Sequence, residues 1–152
     1  MNGIRKEKGF TLLEMMIVVA IISILMSLAF SAYRVFANRA KTNEAVRVLA
    51  MIRAAQLSYK SENDVYLTLK AHPATVPSDY VEWGNPADNW DVLGIDIKHR
   101  ARYQYVGEPG NTNNISTSYK LTARSDFDGE GAPYDTWTLC NDEQLTHTNH
   151  YK

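Results

Sequence analysis

Glu14 is the one charged residue in FTLLEMMIVVAIISILMSLAFSAY, residues 10–33. An ionisable side chain inside so apolar a run is costly in lipid or in a protein interior, and such residues carry function by default. Its chemistry is that of an ion-pair acceptor, because a buried charge is tolerated when a cation meets it. A second group of acids is Asp126-Phe127-Asp128-Gly129-Glu130-Gly131. Alternate acids with glycine resemble the start of a calcium loop, with Asp135 as a further oxygen donor. The closing Glu and the rest of the EF-hand pattern are absent, and a solvated acidic turn is the competing reading. His147 and His150 near the chain end offer imidazoles for a metal, or else form a frayed polar tail, and His72 and His99 are scattered. Cys140 is the only cysteine, which excludes an intrachain disulfide. It reads as a buried small hydrophobe, with an intermolecular disulfide as the alternative. Trp83 and Trp90 read as core, or as an aromatic ligand surface. No nucleophile–base pattern, phosphate loop or cysteine-rich metal signature appears, which argues against an enzyme.

Glu14 requires a long helix to carry it. As a helix, residues 10–33 extend roughly 36 Å at ~1.5 Å per residue, enough to cross a bilayer core of ~30 Å. A secretory signal has a shorter apolar core. A plain anchor gives no reason for Glu14, and a soluble core helix has no need of an apolar surface on every side. Past Tyr33 the pattern turns amphipathic, with Ala45, Val48, Leu49, Ile52, Ala55 and Tyr59 at helical spacing. No Pro or Gly occurs from Phe10 to Lys60, so one helix of about 50 residues, roughly 75 Å long, is expected.

The string Lys8-Gly9-Phe10-Thr11-Leu12-Leu13-Glu14, continued by MMIVVAIISIL, resembles the processing motif of type IV pilins and type II secretion pseudopilins. The resemblance is strong over residues 5–36 and only architectural beyond. It implies that a prepilin peptidase cuts after Gly9 at the cytoplasmic face, that Phe10 is then N-methylated, and that Glu14 is retained for assembly. Gly9 lets a protease approach the backbone with no side chain in the way. Cleavage removes Arg5, Lys6, Glu7 and Lys8 and creates an amine on Phe10 that is positive at neutral pH. In apolar surroundings that amine and the Glu14 carboxylate of a neighbouring subunit neutralise each other. Charge counting alone leaves the topology open, since Arg5, Lys6 and Lys8 face Arg34, Arg39, Lys41 and Arg47 across the apolar run. The leader motif places the N-terminus inside.

The resemblance also implies an α+β pilin fold, a long N-terminal helix laid on a small antiparallel sheet. Its divisions are a leader (1–9), a stem helix (10–60, with 10–33 in the membrane or filament core) and a head (61–152). The implied partners are identical subunits in a helical filament, the prepilin peptidase, an inner-membrane assembly platform, and membrane lipid before assembly. No direct nucleic-acid site is identified. The implied location is the bacterial inner membrane, then an extracellular pilus or a periplasmic pseudopilus. A pilus subunit serving adhesion, motility or DNA uptake is one function; a secretion pseudopilin or a minor pilin is the alternative. Some pseudopilins carry calcium near the C-terminus, which bears on Asp126, Asp128 and Asp135; no other cofactor is implied. Ser31 and Ser23 stand where many relatives have a helix-kinking proline and a glycine, so strong helix breakers are missing from the stem.

In the head, Pro73, Pro77, Gly84, Pro86 and Gly94 punctuate residues 61–100, which read as an irregular αβ-loop packed on Trp83, Trp90, Tyr66 and Tyr80, with a short helix near 91–98. ARYQYV (101–106), SYKLTAR (118–124) and DTWTLC (135–140) alternate like strands and predict an antiparallel sheet within 101–140. Residues 1–60 hold nine Lys/Arg against three acids, and residues 61–152 hold seven against fourteen. A basic stem beside an acidic head suits self-association, and two solvated faces explain it equally well.

Overall fold

The computed structural model describes residues 9–84, 86, 88–97, 100–110, 117–127, 129–142 and 144–148. Helix α1 runs Leu12–Asn63, 52 residues. Its length follows from the absence of Gly and Pro throughout that span. Asp64 ends it in the left-handed region at φ 60°, donating its N–H to the Lys60 carbonyl at 3.0 Å. The Lys60 ammonium in turn donates to the Asp64 carbonyl. Aspartate tolerates that conformation better than most residues with a Cβ.

The chain divides into two compact units, residues 1–39 and residues 40–152. In the first unit the helix exposes large apolar side chains from Leu12 to Phe36. In the second unit α1 is amphipathic. Ala45, Val48, Leu49, Ile52 and Gln56 are buried at helical spacing, while Asn43, Arg47, Ala50 and Ala54 face water.

The head sheet has five antiparallel strands in the order β1-β4-β5-β6-β7. These are β1 Leu69–His72, β4 Gln104–Pro109, β5 Tyr119–Ser125, β6 Asp135–Cys140 and β7 Leu145–Thr148. A two-stranded ribbon pairs β2 Val81–Glu82 with β3 Arg100–Ala101. Tyr105, Tyr119, Leu121, Ala123 and Leu139 share one buried core with the α1 stripe, Leu69, Trp83 and Trp90. Gly107 keeps that core tight, because a Cβ there would stand 3.2 Å from Leu69 and 3.3 Å from Leu121.

The α+β architecture is the one expected of a pilin fold, but the sheet is wider than the alternation suggests. The stretch expected to be a single strand over 101–106 is broken. Ala101 ends β3, Arg102 and Tyr103 form a bend, and β4 starts at Gln104. The Glu44 carboxylate accepts the Arg102 N–H at 2.8 Å, which draws that residue away from the ladder. The short helix expected near 91–98 is replaced by a 3-10 turn, Asp88–Trp90, and a tight reversal at Gly94. Buried Ile95 and Ile97 then follow outside any helix or strand. β1 lies in the span expected to be irregular, and β7 in the expected frayed tail.

Candidate functional site

Gly9, Phe10 and Thr11 precede the helix and are exposed. A Cβ on Gly9 would meet nothing within 4 Å among the described residues, and the expected scissile residue is exposed. Residues 1–8, with Arg5, Lys6 and Lys8, lie outside the described residues. Thr11 is the N-cap. Its hydroxyl accepts the Glu14 N–H at 3.2 Å, and its carbonyl accepts the Met15 N–H at 3.3 Å. Thr11-Leu12-Leu13-Glu14 has the spacing of a capping box, a signal readable in the sequence and missed there. Glu14 therefore sits in the first turn, where the helix dipole favours an anion. No Lys, Arg or His occurs from Phe10 to Tyr33, so this stretch of helix offers Glu14 no basic side chain. Its immediate neighbours Leu13, Met15 and Val18 are exposed and apolar.

Ser23 donates its hydroxyl to the Val19 carbonyl at 2.7 Å, and Ser27 to the Ile24 carbonyl at 2.8 Å. Such back-bonding satisfies the hydroxyl without water and loosens a helix slightly. Leu12–Phe30, 19 residues, is long and apolar enough to cross a membrane, and none of it is buried within the chain.

The acids expected near a calcium ion are engaged by donors of the chain itself. The Asp126 carboxylate accepts the Gly129 N–H at 3.1 Å and the Gly131 N–H at 3.2 Å. Asp135 is buried; its Oδ2 accepts the Tyr103 hydroxyl at 2.8 Å and its Oδ1 lies 2.7 Å from His147 Nε2. Asp128 lies outside the described residues. Among the described residues, no three His, Cys, Asp or Glu side chains converge on a common point. An ion at Asp126 or Asp135 would share these carboxylates with the hydrogen bonds they already accept.

His147, expected in a loose tail, is instead part of β7. Its ring stacks on Trp137 of the paired strand at 3.8 Å and 8°. His72 stands edge-on to Trp83 and bonds the Trp83 carbonyl. His99 and His150 lie outside the described residues. Trp83 and Trp90 do not form a surface, because both are buried with rings edge-to-face at 5.3 Å, and the Trp90 indole donates to the Lys70 carbonyl at 2.9 Å. Cys140 is half-buried rather than buried. Desolvation raises its thiol, with Asp142 adding to the effect and Lys120 opposing it, which leaves a poor nucleophile. Of the stem cations, Lys41 sits over the Phe127 ring at 5.1 Å, so it packs on an aromatic face of its own head.

Comparison with known proteins places these features among relatives. A family model described as the prokaryotic N-terminal methylation motif matches residues 4–30. Type II secretion system core protein G of Vibrio cholerae is 34% identical over 155 residues, covering 91% of this chain and 97% of that protein. The type IV major pilin protein PilA of Myxococcus xanthus is 46% identical over 61 residues, 40% of this chain and 28% of that one. A fimbrial protein of Neisseria meningitidis serogroup B is 42% identical over 131 residues, 86% of this chain and 65% of its own length. The chain thus spans nearly the whole of one relative and only part of these two others. No solved structure matches significantly.

Proposed function

The chain belongs to the family of type IV pilins and type II secretion pseudopilins, and we propose that it is a structural subunit, not an enzyme, that is cut after Gly9 and polymerises through residues 10–33. One observation carries this reading: 19 consecutive helical residues leave every apolar side chain unburied by their own chain and hold one acid, Glu14, in the first turn. Before assembly, lipid covers that surface. Afterwards, the same helices of neighbouring subunits cover it.

Leaving lipid for a helix bundle releases little hydrophobic free energy, because acyl chains are as apolar as leucine. Another term must select the bundle, and Glu14 supplies it. The amine created on Phe10 of one subunit meets the Glu14 carboxylate of another, and two costly isolated charges become a pair. The pair also sets the axial register of the incoming subunit. N-methylation falls on the Phe10 amine and leaves it basic. Glu14→Ala is expected to leave cleavage intact and to lower filament yield at least tenfold, about 1.4 kcal/mol or more per subunit added. An unchanged yield would refute the pairing.

We assign the filament to an extracellular pilus, serving adhesion, twitching motility or DNA uptake. The second reading is a periplasmic pseudopilus, favoured by the end-to-end match to protein G. Electron micrographs of intact cells separate them. Long surface fibres that vanish on deletion support the pilus, and loss of exoprotein release in cells without such fibres supports the pseudopilus.

A further inference from the structure

The two edges of the five-stranded sheet, β1 and β7, are finished differently. An edge strand presents unpaired N–H and C=O groups that can template another strand. Along β1 the chain takes them up itself. The Trp90 indole donates to the Lys70 carbonyl at 2.9 Å, and the Asn89 amide donates to the Thr68 carbonyl, just before the strand, at 2.8 Å. The 3-10 turn thus covers that edge. Along β7 the Cys140 N–H donates to the Gln144 carbonyl at 3.5 Å, and the register runs on with Leu139 opposite Leu145, Thr138 opposite Thr146 and Trp137 opposite His147. Hydrogen-bonded and non-hydrogen-bonded pairs alternate in an antiparallel ladder. Thr146 and Thr148 therefore turn their backbone groups to β6, and Leu145 and His147 turn theirs outward. The stacking of His147 on Trp137 at 3.8 Å fits a non-hydrogen-bonded pair, in which side chains stand closer. Among the described residues, no side chain or further strand takes up the outward groups of Leu145 and His147.

β7 also lacks the devices that keep natural edges apart. Residues 144–148, Gln-Leu-Thr-His-Thr, contain no Lys, Pro, Asp or Glu, although residues 61–152 hold fourteen acids. No bulge interrupts the pairing to β6. Two net-acidic heads can therefore meet along this strand without opposing carboxylates. Laid antiparallel on itself about Thr146, the strand is its own complement. Leu145 of one copy faces His147 of the other in both directions, so every outward N–H and C=O gains a partner. Thr146 faces Thr146, and Gln144 faces Thr148. Thr–Thr pairs are favourable cross-strand neighbours. Leu145, 40% exposed in the single chain, gains apolar cover from the imidazole ring of the other copy. A head-to-tail extension, with β7 of one copy on β1 of the next, is blocked because β1 is already covered.

From one covered edge and one open, uncharged, self-complementary edge, we propose that β7 is a copy-to-copy contact: two heads join β7 to β7 about a two-fold axis, and their sheets become one. Its consequence rests on the filament reading. A two-fold contact is isologous, whereas a filament grows by heterologous contacts, so this pairing ties one filament to another side by side. A single four-residue pairing is weak, but a filament repeats it, and each further edge engages at high effective concentration once the first has paired.

The test uses the full chain carrying Cys140→Ser, so that an introduced cysteine is the sole thiol. In purified filaments, and separately in the detergent-held chain, mild oxidation should couple Thr146→Cys to itself at least about fivefold more than Leu145→Cys. Residue 146 faces its own copy, whereas residue 145 stands about 7–8 Å from its own copy, beyond disulfide reach. Thr146→Lys sets two ammonium groups opposite each other and should disperse bundled filaments in electron micrographs, and an equal mixture of Thr146→Lys and Thr146→Glu filaments should bundle again. Unchanged thermal melts would show that the variants are folded. Register-specific coupling in detergent, with no filaments formed, would count against the filament reading alone. The pairing is overturned if parent filaments lie singly, if Thr146→Lys filaments bundle as the parent does, or if Thr146→Cys in filaments couples no better than Leu145→Cys or couples to a different protein. Where no filaments form, lack of coupling in detergent overturns it likewise.

Discussion

Two stretches of α1 are built from the same kinds of residue and do opposite things with them. Leu49 is fully buried, whereas Leu25 is 61% exposed. In residues 45–56 polar positions interrupt the apolar ones, leaving a single stripe that the head sheet covers. In residues 12–30 apolar side chains go all the way round, and none is buried by the chain. The first pattern can be satisfied within one molecule. The second needs lipid or other copies, so folding of the head and assembly of the filament draw on separate parts of the helix and should fail separately.

The largest expected effect is at the leader. Gly9→Leu should abolish processing outright, read as an intact N-terminus by mass spectrometry, while the head melts at the parent temperature. Next is Leu49→Ala, which should cost the head about 2–5 kcal/mol in urea unfolding, against less than about 0.5 kcal/mol for Ile22→Ala. If Ile22→Ala destabilised the head as much as Leu49→Ala, the division would be wrong. Asp135→Asn should cost about 1–3 kcal/mol by weakening the Tyr103 and His147 contacts, with no effect on processing. The same variant tests calcium: a chelator that lowers the parent's melting temperature but not the variant's would assign Asp135 to an ion.

The smallest effect is at Tyr105, whose phenol burial pushes far above its ordinary value, with Glu44 adding and Arg47 opposing. Below about pH 10 the phenol is protonated in folded and unfolded chains alike, so pH has no leverage through it. Above that, the unfolded chain gives up its proton first, and the head loses stability as pH rises. Tyr105→Phe should flatten this alkaline decline in pH-dependent unfolding. At neutral pH it should change stability by less than about 1 kcal/mol, because the hydroxyl it removes has no partner among the described residues.

What could be read without coordinates was whatever leaves a periodic trace in side chains. The helix announced itself by the absence of Gly and Pro and by the 45–52 stripe, and β6 has the expected bounds because Trp137 and Leu139 alternate with polar residues. β1 and β7 leave no such trace. β1 fully buries only Leu69, and all four residues of β7 are exposed, so β1 rests mainly on backbone pairing to β4, and β7 on pairing to β6 with the His147 contacts to Trp137 and Asp135. Gln56 was invisible for a different reason. It occupies a core position of the stripe as a polar residue, because its amide accepts the Leu67 N–H at 2.9 Å and donates to the Leu67 carbonyl at 2.6 Å. The Trp pair misled because large aromatics serve binding surfaces and cores alike, and only burial separates the two.

Thr11 supplies the helix with its own starting point. Its hydroxyl and its carbonyl, which accept the Glu14 and Met15 N–H groups, both lie downstream of Gly9, so a cut before Phe10 leaves these two bonds in place. Under the proposed processing, the new terminus at Phe10 would stand two residues before Leu12, where the helix begins on a cap that the cut does not touch.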